Sequence, residues 1–318
     1  MKAIVQDTYG TRDVLEFGEI DTPVPGDDEV LVRVRAAGVE QGVWHLMTGL
    51  PYLIRLAGYG IRAPKVRVRG REVAGQVAAL GRNVTGFRAG DEVFGICEGS
   101  FAEYACASPH KLVLKPPNRT FEQAAAVPIS AMTALQALRG RVRPGHRVLV
   151  IGAGGGVGTY AVQLAKASGA RVTGLCSTAK LGLVRSIGAD DVIDYTVADF
   201  ANGRYDLIID TAGNRTLSHL RRGLTPEGTL VIVGGTGGRW LGGTERVLRA
   251  LLLNPFTRQK LLGLFVTEQL ADLEALRQML EDGVIVPVVD RTFSLGEAAD
   301  AVTYVHKGHA RGKAVVVI

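Results

Sequence analysis

The stretch from Arg147 to Thr178, RVLVIGAGGGVGTYAVQLAKASGARVTGLCST, leaves this chain few folds to choose from. Val148–Ile151 is a short, β-branched apolar run, as expected of a parallel strand buried on both faces. It leads into Ala153-Gly154-Gly155-Gly156-Val157-Gly158, which matches G-x-G-x-x-G with Ala153 in the first glycine place and Gly155 and Gly158 in the others. Gly155 lets the backbone approach a pyrophosphate, and Gly158 lets the following helix pack closely on the strand. The N–H groups that open that helix, at Gly156 and Val157, carry the partial positive charge that attracts phosphate. A glycine run alone marks only a tight turn. Here a strand precedes it and a helix, Thr159–Ala167, follows, with Val162, Leu164 and Ala165 facing inward and Gly169 ending it. The stretch therefore predicts a strand–turn–helix–strand unit that binds a dinucleotide.

The residues after the second strand bear on which dinucleotide. Sites for NAD usually place an acid about 20 residues past the glycines, on the ribose hydroxyls. This chain has Cys176-Ser177-Thr178 there, then Lys180, and no acid between Gly158 and Asp190. Hydroxyls and a lysine suit a 2′-phosphate, which a carboxylate would repel. Ser177 and Thr178 as plain helix caps, with Lys180 a solvated charge, would leave the missing acid unexplained. The expectation is NADPH.

With 318 residues, 47% of them hydrophobic, the chain can build two globular domains. Its net charge of +6 is scattered, and its densest basic stretch is Lys65-Val-Arg67-Val-Arg69-Gly-Arg71. Alternation would set those charges on one side of an extended strand, as a solvated face or a surface for phosphate. No aromatics are interleaved, which disfavours nucleic acid as a partner. Three cysteines without a C-x-x-C pattern point to a reducing compartment rather than a disulfide framework. The start, MKAIVQDTYG, is no signal peptide, and no apolar run is long enough to span a bilayer. A soluble cytoplasmic protein is expected.

The first third alternates in short β segments: Met1–Gln6, Glu29–Ala36, Val73–Leu80, Asp91–Phe94 and Phe101–Ala107. This pattern suggests a compact, barrel-like β domain. Lys115-Pro-Pro-Asn118 breaks it, and Thr120 caps a helix. Strands and helices then alternate: a helix through Leu181, Val184 and Ile187, strands at Asp191–Ile193, Leu207–Asp210 and Thr229–Val233, and a helix at Leu217–Gly223. The fold class is α/β, a doubly wound parallel Rossmann sheet with a β-rich second domain. Asp210, Gly213, Val233 and Gly234 fall at carboxyl ends of strands, where such sheets bind ligands. Gly237–Asn254 is less regular, with a helical run at Arg246–Leu253, and Leu261–Val266 reads as an outer strand at a possible subunit interface. Helices near Leu270–Leu280 and Gly296–His306 and a strand at Ala314–Ile318 go back to the first domain. The domains expected are 1–118 with 268–318, and 119–267.

Over nearly its whole length the chain resembles a medium-chain dehydrogenase/reductase of the zinc-free quinone oxidoreductase (ζ-crystallin-like) branch. The marks are MKAIV, GDDEVLVRV, GREVAGQV, GDEVFG, FAEYA, EQAAAVPISAMTALQAL, GAGGGVG, GADDVIDY and GHARGKAVVVI. The resemblance implies a GroES-like catalytic domain built from both chain ends around an NADPH domain, and a homodimer. It assigns Lys180 and Tyr195 to the 2′-phosphate with help from Ser177. It sets Thr133, Gly234 and Arg311 along the nicotinamide cleft or the edge of the cofactor site.

Zinc-dependent relatives carry Cys at the position of Glu40 and His at that of Arg71. Arginine is no ligand, so no metal is expected, and His45 reads as structural. Without a Lewis acid, hydride transfer suits acceptors that are already electrophilic, quinones or α,β-unsaturated carbonyls. Tyr52, in the Leu46–Pro64 segment expected to cover the cleft, is a candidate proton donor, or a packing ring. The branch usually reads S-V-N-P-x-D where this chain has Gly38-Val39-Glu40-Gln41-Gly42-Val43. Glu40 is either solvated or paired with Arg71, or it is a catalytic carboxyl, a general acid or an anchor for a cationic substrate. A rival reading is a weakly catalytic protein that holds NADPH and offers its basic surface to an RNA or protein partner.

Overall fold

The structure, a computed structural model, describes residues 1–235 and 238–318. Gly237, the start of the irregular segment noted above, lies outside the described residues. From the N-terminus the chain forms β1 (Lys2–Val5), β2 (Glu16–Glu19), β3 (Val30–Val39), α1 (Gln41–Thr48), α2 (Tyr52–Ile54), β4 (Glu72–Leu80), β5 (Glu92–Ile96), β6 (Tyr104–Ala107), β7 (Leu112–Leu114), α3 (Phe121–Ala125) and α4 (Pro128–Leu138). Next come β8 (Arg147–Ile151), α5 (Gly156–Ala167), β9 (Arg171–Cys176), α6 (Leu181–Ser186), β10 (Asp191–Asp194), β11 (Tyr205–Asp210), α7 (Leu217–Gly223), β12 (Leu224–Ile232), α8 (Thr244–Leu253) and β13 (Lys260–Gly263). The chain ends with α9 (Leu270–Glu281), β14 (Val289–Ser294), α10 (Ala298–His306) and β15 (Lys313–Val317).

These elements form two compact units, Met1–Met132 with Glu268–Ile318, and Thr133–Thr267. The first boundary expected from the sequence, at residue 118, is corrected: Thr120–Met132 belong to the first unit. The reason is packing. Helix α3, closed at its start by a Thr120–Gln123 capping box, lies against β3, β4, β5 and β15. The N–H groups of Ile129 (2.9 Å) and Ser130 (3.4 Å), at the start of α4, then donate to Glu72 Oε1.

In the first unit seven strands make one sheet in the order β14-β15-β3-β4-β5-β7, with β6 also paired to β3. One apolar core gathers Val30, Val32 and Val34 with Val73, Val77 and Val93. A second packs Val43 and Met47 of α1 against Ala298, Ala301 and Val302 of α10. Within this sheet Glu72 and Lys313, 0% and 2% exposed, form an ion pair. Lys313 Nζ also donates to Ser130 Oγ at 3.1 Å. Gly38 on β3 makes room for the pair, since a Cβ there would overlap Glu72 Oε2 and the Ala125 carbonyl.

The second unit is a six-stranded parallel sheet in the order β10-β9-β8-β11-β12-β13, the Rossmann arrangement. The order reverses between β8 and β11, whose registers start together at Val148 and Leu207. The helix after the glycine turn begins at Gly156 rather than Thr159, so Gly156 and the fingerprint glycine Gly158 belong to its first turn. The outer strand is shorter than Leu261–Val266 and pairs only with β12, at the sheet's edge. No helix among the described residues is long and apolar enough to cross a membrane.

Lys65–Arg71 does not form the alternating strand expected of it. Only Val68 bridges, to Val5, and the arginines meet different surroundings. Arg67 is exposed and paired with Asp7, Arg69 is 5% exposed, and Arg71 is held among carboxylates.

Replacing Lys313 by methionine strands the Glu72 carboxylate in the core and should cost about 3–5 kcal/mol of unfolding free energy in urea denaturation. Gly38→Ala should destabilise through the same pair. A Lys313→Met loss no larger than that of an exposed salt bridge, below about 1 kcal/mol, would show that the pair does not hold the sheet.

Candidate functional site

In the second unit the turn after β8 is made by Gly152, whose φ of +80° only glycine adopts without strain. Ala153 therefore takes the first fingerprint place at ordinary φ, fully buried, its N–H bonded to the Leu175 carbonyl at 3.1 Å. A Cβ on Gly158 would overlap the Gly152 carbonyl, which fixes glycine at the point where α5 meets the strand. Gly155, the N-cap of α5, has only the Gly152 carbonyl oxygen near its missing Cβ, at 3.3 Å. Open space over Gly155, beside the unpaired first-turn N–H groups at Gly156, Val157 and Gly158, is a cradle that fits a pyrophosphate.

At the end of β9, Ser177 caps a short turn through Thr178 and Lys180, and the Lys180 stem lies against Gly154. Tyr195, half exposed, is anchored by its N–H to the Cys176 carbonyl at 3.1 Å. Ser177, Lys180 and Tyr195 thus share one end of the site. Thr178 differs from expectation, since its hydroxyl donates to Asp194 Oδ2 at 2.5 Å and is not left for a ligand. Along the chain no acid follows Gly158 before Asp190, yet β10 brings Asp194 beside Cys176 in register. Counting along the sequence missed it, because strand order rather than sequence distance sets the neighbour.

At the ends of β11 and β12 the N–H groups of Val233 (3.0 Å) and Gly234 (3.2 Å) both donate to the Asp210 carbonyl. The Asp210 carboxylate, wholly buried, accepts from Gly213 N–H at 3.0 Å and from Arg246 Nη2 at 2.5 Å. Arg246 Nη1 reaches the Gly234 carbonyl at 3.3 Å. This buried pair fixes both strand-end loops. Nothing in the sequence singled out Arg246 beyond its place in a helical run. Thr133 is buried at the first position of the second unit, whereas Arg311 belongs to the first unit, its N–H bonded to Asp290 at 3.0 Å.

In the first unit Glu40 is the N-cap of α1, its Oε2 accepting the Gly42 N–H. Its Oε1 is buried without a hydrogen-bond partner. Burial, and after it the Glu72 carboxylate, push the Glu40 carboxyl above the usual carboxylate range, with Lys313 and Arg71 opposing. The expectation of a solvated Glu40, or one paired with Arg71, is overturned. Arg71 is engaged by Glu268 and, at 3.6 Å, by Glu98. Lys111 holds the other Glu268 oxygen at 2.7 Å. Tyr52 opens α2, and its ring lies 4.9 Å from the Arg55 guanidinium, which also covers Tyr9. His45 bonds through Nδ1 to the Leu50 carbonyl at 2.8 Å, and burial keeps it neutral, a structural role. Among the described residues no three His, Cys, Asp or Glu side chains gather as a metal site.

The family models for an alcohol dehydrogenase GroES-like domain and for a zinc-binding dehydrogenase match residues 26–117 and 187–316. A chloroplastic quinone oxidoreductase of Triphysaria versicolor is 31% identical, over 99% of this chain and 98% of its own. A mitochondrial NAD(P)H oxidoreductase of Mus musculus is 32% identical, over 99% and 89%. The solved quinone oxidoreductase of Coxiella burnetii superposes with a TM-score of 0.88 at 28% identity, covering 100% of this chain and 99% of that one. With its Rossmann sheet, its dinucleotide cradle and this likeness, the chain belongs to the quinone oxidoreductase branch of the medium-chain dehydrogenase/reductase superfamily, enzymes that use a nicotinamide cofactor.

Proposed function

We propose that the protein reduces small electrophilic acceptors, quinones and α,β-unsaturated carbonyls, with NADPH and without zinc. The observation that carries this reading is the pair of residues where zinc-dependent relatives place ligands. One is an arginine locked between two carboxylates, the other a carboxyl whose pKa burial raises. Lys180 over Gly154, with Ser177 and Tyr195 beside it, supports the phosphorylated cofactor. When bound, the cofactor supplies a hydride. Gly152, Gly155 and Gly158 admit the pyrophosphate, and the Asp210–Arg246 pair holds the loops at the strand ends. Glu40 gives the proton on Oε1 to the anion left by hydride addition, and regains it from solvent. Tyr52 is the alternative donor.

A carboxyl held neutral offers no anchor for a cationic substrate, and the dispersed Lys65–Arg71 charges offer no continuous face to an RNA. We also propose a homodimer through the edge of β13. Exposed Leu248, Leu251 and Leu252 on α8, and Phe265 beyond β13, give a second copy apolar surface to cover. Three unpaired cysteines suit the cytoplasm as the proposed compartment.

Purified protein free of stoichiometric metal should oxidise NADPH in the presence of a small quinone or a conjugated enone, and use NADH at least about tenfold less efficiently. A zinc requirement, or NADPH binding without turnover, would refute the reading. Because protonated Glu40 is the active form, turnover should fall as pH rises through its raised pKa. Glu40→Gln should remove that limb and lower kcat by about 10²-fold or more, with KM for NADPH unchanged. An unaltered pH profile would pass the role to Tyr52. Light scattering should give a dimer for the native chain and a monomer for Phe265→Asp with Leu251→Lys, and a native monomer would end the dimer proposal.

A further inference from the structure

Asp194 poses a problem for the NADPH reading, on which the following rests. Its carboxylate accepts from the Thr178 hydroxyl at 2.5 Å, and from the N–H and hydroxyl of Thr196 at 2.9 and 2.7 Å. Those bonds, Thr178's first, hold it below the usual range, so it is ionised at neutral pH. Asp194 ends β10 in register with Cys176 at the end of β9, and a carboxylate near that strand end suits a plain ribose diol. A 2′-phosphate placed there meets like charge, which the positive charges of Lys180 and Arg185 oppose. Asp194, Lys180 and Arg185 all act electrostatically on the Cys176 thiol, which places them about the end of β9.

Another cation approaches this end through Tyr195. Arg215 lies in the loop after β11, whose start is pinned by the Gly213 N–H to Asp210 Oδ1. Its guanidinium carbon is 5.8 Å from the centre of the Tyr195 ring, and Tyr195 is the residue next to Asp194, tied by its N–H to Cys176. Arg215 is half-buried. Its neighbour is the aromatic face of Tyr195, which positions the fork without using its hydrogen bonds. An arginine so held keeps its donors for an oxyanion and can take a phosphate through two parallel bonds.

We infer that Arg215 is a second cation for the 2′-phosphate, acting across Tyr195 from Lys180 and offsetting Asp194, and that it sets the preference for the phosphorylated cofactor. It is a specificity residue of the binding step, remote from the reacting atoms.

Calorimetric binding of 2′,5′-ADP and 5′-AMP to the full chain tests this without turnover. The native protein should prefer 2′,5′-ADP. Arg215→Ala should weaken 2′,5′-ADP by about tenfold or more while leaving 5′-AMP within about twofold, with Arg215→Lys in between. Asp194→Asn should strengthen 2′,5′-ADP, and the affinity of Arg215→Ala should fall less steeply with salt than that of the native protein. Equal losses for both nucleotides would make Arg215 an adenine platform and overturn the inference, as would no loss at all. A native protein with no preference would overturn the NADPH reading and the inference with it. A preference that survives Arg215→Ala would overturn the inference alone.

Discussion

The buried pair of Glu72 and Lys313 is the interaction on which the first unit depends. Lys313 stands at the start of the last strand, Glu72 at the start of β4, and β3 runs between them in the sheet. The pair is possible only because Gly38 leaves β3 bare at the crossing. Taking both charges out of water is costly, and the cost is offset by mutual attraction and by bonds from Ile129, Ser130 N–H and Ser130 Oγ. One consequence is architectural: the chain's last strand and the helix after residue 127 are tied to the same carboxylate. The other is chemical. Glu72 adds its negative charge to the desolvation of Glu40, and together they raise the pKa of that carboxyl above the usual carboxylate range.

The second unit rests on close approach. Gly152 turns the chain in a conformation closed to other residues, Gly158 brings α5 against that turn, and Gly155 leaves space where phosphate fits. The cradle is therefore made of backbone and absence, and the side chains proposed to tune it come from elsewhere: Lys180 after β9 and Tyr195 after β10, with the Asp210–Arg246 pair joining the end of β11 to the first turn of α8.

Much of this was legible in the sequence where the signal is local. The glycine turn, the apolar strands and the Thr120 cap each depend on residues a few places apart, and all formed. The cofactor cradle at Gly155–Gly158 followed from the same local chemistry. What the sequence hid was set by strand order and burial. Asp194 is far from Gly158 in the chain, but β10 pairs with β9 and delivers it to Thr178. Alternation suggested a strand for Lys65–Arg71, yet its pairing with β1 is confined to a single bridge at Val68, and Arg67 and Arg71 went to separate carboxylates. The alternatives for Glu40, solvated, paired with Arg71 or catalytic, stayed open because nothing adjacent to it announces that Glu72 and Lys313 act on it.

The proposed role of Glu40 as a general acid requires that its carboxyl be protonated. Infrared difference spectroscopy between the native protein and Glu40→Gln at neutral pH measures that proton directly. A carbonyl band of a protonated carboxylic acid, present in the native protein and lost in the variant, is the result the account predicts. A native spectrum showing only carboxylate at that position would contradict it.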